Sequence, residues 1–208
     1  MRSLVEQHRI VAILRGVPVR QAPTLAEHLY RAGIRLLEVS FSDEQGPEVL
    51  DILHGALDGA LLLGAGTVTT LERATAARQA GARFVLTPHL VPEVNAYAVS
   101  HGLGLISGAM TPSEVQTARQ QGSEVVKLFP AGDLGSGYLR SLLGPYPDLS
   151  VLVVGNIGQH NLGEFIRAGA LGAGIGSYLT RTDWNTPDYG ELARRAPHLL
   201  AAFDSGGR

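Results

Sequence analysis

The feature that most limits what this chain can fold into is a device used over and over. A helical pattern ends in glycine, and a short apolar run follows within a few residues. It reads RAG-IRLLEVS at Gly33, QAG-ARFVLT at Gly81, SHG-LGLIS at Gly102, QQG-SEVVKLF at Gly122 and IRAG-ALGAGIG at Gly169. Glycine after a last helical turn adopts the left-handed cap at little cost. The runs that follow are apolar almost throughout, as parallel strands covered on both faces are. Strands are expected at Ile10–Leu14, Leu36–Ser40, Leu61–Ala65, Phe84–Leu86, Leu103–Ser107, Val125–Phe129, Val151–Val154 and Leu171–Ile175. Helical patterns lie between them, for example over Thr24–Ala32, Leu71–Ala80 and Pro92–Ser100.

Eight β/α units with no linker predict an α/β fold, a compact (β/α)₈ TIM barrel. The main competitor is an open doubly wound sheet. The regular repeat favours the barrel and one domain over residues 1–208, with a helix in residues 1–9 capping its bottom. A hydrophobic content of 45% suffices for such a core. The net charge of −2 gives no general pull toward nucleic acid or an anionic membrane. No apolar run approaches the ~20 residues of a membrane helix. The start, MRSLVEQHRI, lacks a signal-peptide core, so a cytoplasmic protein is expected.

A barrel places its chemistry at the C-terminal ends of the strands. Composition singles out one residue there. Of 17 basic residues, 16 are Arg and one is Lys, Lys127. Arginine cannot release a proton to become a nucleophilic amine, whereas lysine can. In VVKLFP, Lys127 alternates with apolar neighbours, so either face buries its amine, and the barrel interior is the face expected. Burial lowers a lysine pKa, and a neutral amine can attack a ketone. The competing reading is a structural lysine held by one buried carboxylate. Glu38, in LLEVS of the second strand, is the matching acid. Near the amine it would shuttle protons; otherwise it forms a buried ion pair with Lys127 or Arg15.

Arg15 ends the first strand in VAILRG and could grip a carboxylate through two parallel hydrogen bonds, or be a plain surface arginine. Thr67 follows two glycines in GAGTV, a pattern that also suits any crowded strand end. Gly155 and Asn156 after the seventh strand, with Gly176 and Ser177 after the eighth, form two glycine-rich loops of the kind that hold phosphate in barrels. The seven histidines show no metal-ligand spacing, and the chain has no cysteine, so no metal is expected. His89 sits at a strand end and reads best as a solvated loop residue.

These residues, in this order, resemble the family of 2-keto-3-deoxy-6-phosphogluconate and 6-phosphogalactonate aldolases. The resemblance spans nearly the whole chain: VAILRG, LEVSFSD, GAGTV, TPHL, SGAMTPSE, VVKLFPAGDLG, VVGNIG and GIGS. It implies a class I aldolase without cofactor or metal, usually a homotrimer. It further implies that Lys127 forms the imine, that Glu38 is the acid/base, and that Thr67, Pro88 and Phe129 line the pocket. The substrate would be a phosphorylated keto sugar acid, cleaved to pyruvate and glyceraldehyde 3-phosphate. Two departures stand out. Gluconate-type members carry an arginine where this chain has Ser42, which passes the substrate carboxylate to Arg15 and favours the galactonate substrate. Asn156 stands where the family usually has a second glycine. Two rivals remain on the residues alone: a barrel phosphosugar isomerase or epimerase without covalent chemistry, and a non-catalytic phosphosugar-binding protein.

Overall fold

The computed structural model describes residues 1–42, 44–57 and 59–206. Its strands are β1 (Ile10–Leu14), β2 (Leu36–Ser40), β3 (Leu62–Gly66), β4 (Phe84–Leu86), β5 (Gly104–Ala109), β6 (Val125–Leu128), β7 (Val151–Val154) and β8 (Gly172–Ile175). All neighbours pair in parallel, and β8 returns to β1 with Ile10 opposite Ala173 and Ala12 opposite Ile175. The sheet is therefore a closed barrel and not the open doubly wound alternative.

Helix α1 (Arg2–His8) precedes the barrel. The outer layer is α2 (Ala22–Arg31), α3 (Gly46–Leu57), α4 (Leu71–Gln79), α5 (Pro92–Ser100), α6 (Pro112–Gln120), α7 (Ala131–Leu134), α8 (Ser136–Leu143), α9 (Leu162–Arg167), α10 (Ser177–Thr180) and α11 (Tyr189–Gly206). Among the described residues, no helix is long and apolar enough to cross a membrane.

The five cap glycines all have positive φ, from 68° at Gly102 to 104° at Gly169. The residue after each donates its N–H back into the helix just ended, as Leu103 does to Ala98 at 2.9 Å and Ala82 to Ala77 at 2.9 Å. This six-to-one bond satisfies a terminal carbonyl. Two strand boundaries are corrected by such bonds: Leu103 is committed to the helix cap, and Leu61 donates to the Leu57 carbonyl four residues back, so β5 and β3 begin one residue later than their apolar runs. Strand β8 likewise starts at Gly172 and not Leu171, and β6 ends at Leu128, before Phe129-Pro130. Proline has no N–H to extend a ladder.

Alternation along the strands divides the apolar residues into two cores. Val11, Ile13, Leu36, Phe84, Leu86, Ile106, Val125, Leu152 and Val154 fill the barrel interior, and Val5 of α1 enters the same cluster from below. The alternate positions, among them Ala12, Leu37, Val39, Val126, Leu128 and Val153, pack outward against the helices. The capping role expected for the N-terminal helix is thus met, and the Met1 ammonium pairs with Glu124 at 2.7 Å. Interior glycines set the shape of the barrel. A Cβ on Gly64 would stand 2.4 Å from the Phe84 ring, and one on Gly104 would stand 2.4 Å from Met1 Sδ. The small residues admit a large one beside them.

Candidate active site

Lys127 belongs to β6, where its same-face neighbour Val125 lies in the interior core and Val126 and Leu128 lie in the outer one. Its side chain therefore points inside the barrel and is only 3% exposed. The ammonium lies 5.4 Å from the centroid of the Phe129 ring. Removal from water pulls its pKa below the ordinary 10.5; attraction to Glu38 opposes this, and the Arg15 charge reinforces it. Desolvation is the largest effect, so the amine is biased toward the neutral, nucleophilic form.

Glu38 on β2 is fully buried, and neither carboxylate oxygen has a hydrogen-bond partner. Burial pushes its pKa above the ordinary 4.5, while Lys127 and then Arg15 act in the opposite sense. Neither Lys127 nor Glu38 takes part in an ion pair among the described residues. The structural alternative, a lysine clamped by a buried carboxylate, is not what the geometry presents. Two ionisable groups that feel each other's charge face one interior, each biased toward its uncharged state, and the carboxyl has no hydrogen-bond partner among the described residues. A group in that condition is available for proton transfer.

The carboxyl of Glu38 has its place because position 66 has no side chain. A Cβ on Gly66 would come within 1.5 Å of Glu38 Oε1 and 2.1 Å of its Cδ. The second glycine of GAGTV is thus a seat for the acid. Gly66→Ala must displace the carboxyl, and a shift of about 1 Å in an acid/base group lowers a rate on the order of 10²-fold. We expect a loss of that size in kcat with the far-ultraviolet circular dichroism spectrum unchanged.

Thr67 carries a φ of 58°, unusual for a β-branched residue. Its hydroxyl lies 3.1 Å from Ser40 Oγ and accepts from Arg15 Nη2 at 3.4 Å. Ser40 also meets Ser42 at 3.0 Å. Arg73 pins the turn from the other side, donating to the Thr67 carbonyl at 3.3 Å and to Thr69 Oγ1 at 2.7 Å. The sequence reading missed Ser40 and Arg73. Ser40 was within reach, since it shares a strand face with Glu38; Arg73 was not, because its contact is made across a strained turn.

Pro88 follows β4 and is half-buried, with Gly108 packed so closely that a Cβ there would stand 2.3 Å from the Pro88 carbonyl carbon. His89 is exposed. Next to the Lys127–Glu38 pair opens a cavity of about 810 Å³. Arg15, Phe129, Gly155, Asn156, Gly176 and Ser177 all line it; Lys127, Glu38, Thr67 and Pro88 do not. Arg15 and Phe129 are the residues it shares with the environment of the reactive pair. Asn156 has φ 52°, a conformation asparagine tolerates better than most residues. Its carbonyl accepts from Asn161 Nδ2 at 2.9 Å. The sequence reading missed Tyr178, Arg181, Trp184 and Arg195 on the same wall. They arise after β8, where no motif marks the chain. Among the described residues, no group of three His, Asp or Glu side chains could hold a metal ion.

A parallel (β/α)₈ barrel with a shielded amine and an unpaired acid facing its interior has the frame of a barrel enzyme. A sequence model described as "KDPG and KHG aldolase" matches residues 1–194, and the chain belongs to that family of carbon–carbon lyases. It is 31% identical over 195 residues to the 2-dehydro-3-deoxy-6-phosphogalactonate aldolase of Escherichia coli K12, covering 93% of this chain and 92% of that one. It is 36% identical over 163 residues to the 2-dehydro-3-deoxy-phosphogluconate aldolase of Treponema pallidum, covering 78% and 77%. A solved structure described as native KDPGal superposes with a TM-score of 0.89 at 29% identity, covering 95% of both chains.

Proposed function

We propose that residues 1–208 are one class I aldolase domain that cleaves a 2-keto-3-deoxy-6-phospho sugar acid through an imine on Lys127, giving pyruvate and glyceraldehyde 3-phosphate. The observation that carries this reading is the buried Lys127 amine in one barrel interior with the buried Glu38 carboxyl, which has no hydrogen-bond partner among the described residues. Galactonate is the preferred sugar acid. Ser42 cannot offer the guanidinium that gluconate-type members hold there, and Arg15 reaches across to Thr67 instead. The enzyme works in the cytoplasm as a homotrimer, the assembly its family resemblance implies.

The amine attacks the C2 ketone, and the nitrogen proton passes to the new oxygen. Glu38, whose burial favours the protonated form, gives a proton to that hydroxyl. Water leaves, and a protonated imine forms beside a Glu38 carboxylate. The carboxylate takes the C4 hydroxyl proton, the C3–C4 bond breaks, and its electrons move into the imine. Glyceraldehyde 3-phosphate departs from the resulting enamine. Glu38 returns the proton to C3, and water then hydrolyses the imine to release pyruvate and the free amine. Arg15 holds the carboxylate, Thr67, Pro88 and Phe129 shape the pocket, and the loops at Gly155–Asn156 and Gly176–Ser177 hold the phosphate by backbone N–H groups.

Incubation with pyruvate and borohydride tests the covalent step. A reduced pyruvate adduct on Lys127, found by peptide mass spectrometry, is the expected result. An unmodified Lys127 under turnover conditions would overturn it in favour of non-covalent chemistry.

A further inference from the structure

Arg181 is left unused by the cleavage chemistry above, although it stands at the edge of the same cavity. It follows α10 directly, and its backbone N–H donates to the Ser177 carbonyl at 2.9 Å. The two residues are thus one turn apart. The chain leaves the helix at this point, with Arg181 extended at φ −79° and ψ 113°. Both residues line the cavity of about 810 Å³.

The charge of that cavity is one-sided. Its walls hold Arg15, Arg181 and Arg195 together with His160 and, among the described residues, no aspartate or glutamate. The chain as a whole is net acidic at −2, so this basicity is local. A concave site lined by one sign of charge concentrates ligands of the other. The three guanidiniums are not equivalent. Arg195 is ion-paired with Glu191 and donates to the Tyr178 carbonyl at 2.8 Å. Arg15 is turned toward Thr67 beyond β3. Arg181 is exposed, and among the described residues its side chain has neither a hydrogen bond nor an ion pair.

We infer that Arg181 is a specificity-determining residue that grips the distal phosphate of the substrate by its side chain, adding to the backbone contacts of the Gly176–Ser177 loop. This rests on the proposed cleavage of a phosphorylated sugar acid. Arg15 and Arg181 then divide the substrate between them, one at the carboxylate and one at the phosphate. A guanidinium suits phosphate because its N–H groups form a planar fork.

Two measurements test this. Glycerol 3-phosphate, a stable stand-in for the departing three-carbon phosphate, is titrated calorimetrically into the wild-type enzyme, Arg181→Gln and Arg181→Lys. Loss of a charge-assisted contact should weaken binding about 10- to 100-fold in Arg181→Gln, with Arg181→Lys between the two. The second readout is the ratio of kcat/KM for a 2-keto-3-deoxy sugar acid with and without its 6-phosphate. That ratio should fall by a similar factor in Arg181→Gln. The inference is overturned if the wild-type enzyme does not bind glycerol 3-phosphate, if Arg181→Gln binds it as tightly, or if both substrates lose kcat/KM in parallel. Absence of pyruvate release alongside Arg181-dependent phosphate binding would instead reject the aldolase reading and leave this site standing.

Discussion

Lys127→Met should lower pyruvate release by at least about 10⁴-fold and leave the barrel folded, in line with the effect of deleting a covalent nucleophile elsewhere. Methionine has nearly the length of lysine and adapts to irregular apolar space. It brings no polar atom of its own into the barrel interior, where Lys127 is only 3% exposed. The sign of the stability change depends on pH. The folded-state pKa of Lys127 lies below its ordinary 10.5. Folding therefore disfavours the charged amine, and this cost is full below the lowered pKa. It fades as pH rises toward 10.5 and is absent above. The methionine variant should melt higher than wild type at neutral pH, and the difference should vanish in strong alkali. A lactate dehydrogenase-coupled assay measures the first effect, and thermal denaturation followed by circular dichroism at several pH values measures the second. Wild-type turnover in this variant would remove Lys127 from the mechanism. Lys127→Arg makes the contrast: a guanidinium cannot neutralise, so it should be inactive and less stable than the methionine variant.

The barrel was legible because its signal is repeated. Each helix-glycine-strand unit is a weak local indication, but five cap glycines at regular spacing leave few topologies. The reactive pair was legible for a different reason. A charge inside an apolar strand conflicts with packing, and such conflicts gather at functional sites. Lys127 and Glu38 each broke the local pattern, and alternation then allowed only two faces. Placing Lys127 in the interior rested on the barrel fold and not on the strand itself, since both faces are apolar in a strand covered on both sides. Contacts between strands were equally hidden. Gly66 looked like one of many small residues until the Glu38 carboxyl appeared beside it. The Arg181–Trp184 wall was silent because it comes from an irregular stretch after β8, where neither period applies.

Glu38→Met should separate stability from activity most clearly. The wild-type carboxyl is fully buried, and neither oxygen accepts a hydrogen bond. A buried polar group left without partners costs about 1–3 kcal/mol. Methionine has a similar volume and fits the space that Gly66 leaves open, so that cost is relieved without a cavity. The variant should gain roughly 1–3 kcal/mol, which for a chain of this length is about 2–4 °C in Tm per kcal/mol. The pH window runs opposite to that of Lys127. The pKa of Glu38 is raised above 4.5, so folding disfavours its ionised form. That part of the penalty is full above the raised pKa and disappears below 4.5. The ionisation-linked gain from Glu38→Met should therefore be largest above the raised pKa, shrink as pH falls toward 4.5 and be lost below it. Activity should move the other way. Without the acid there is nothing to expel the carbinolamine hydroxyl, accept the C4 proton or protonate C3, and removal of a general acid/base typically costs about 10²–10⁴-fold in kcat. A site that carries destabilising polarity for the sake of chemistry predicts this pair of opposite changes. A structural Glu38 predicts the reverse, a lower Tm with pyruvate release largely intact, and that outcome would strike the acid/base from the mechanism.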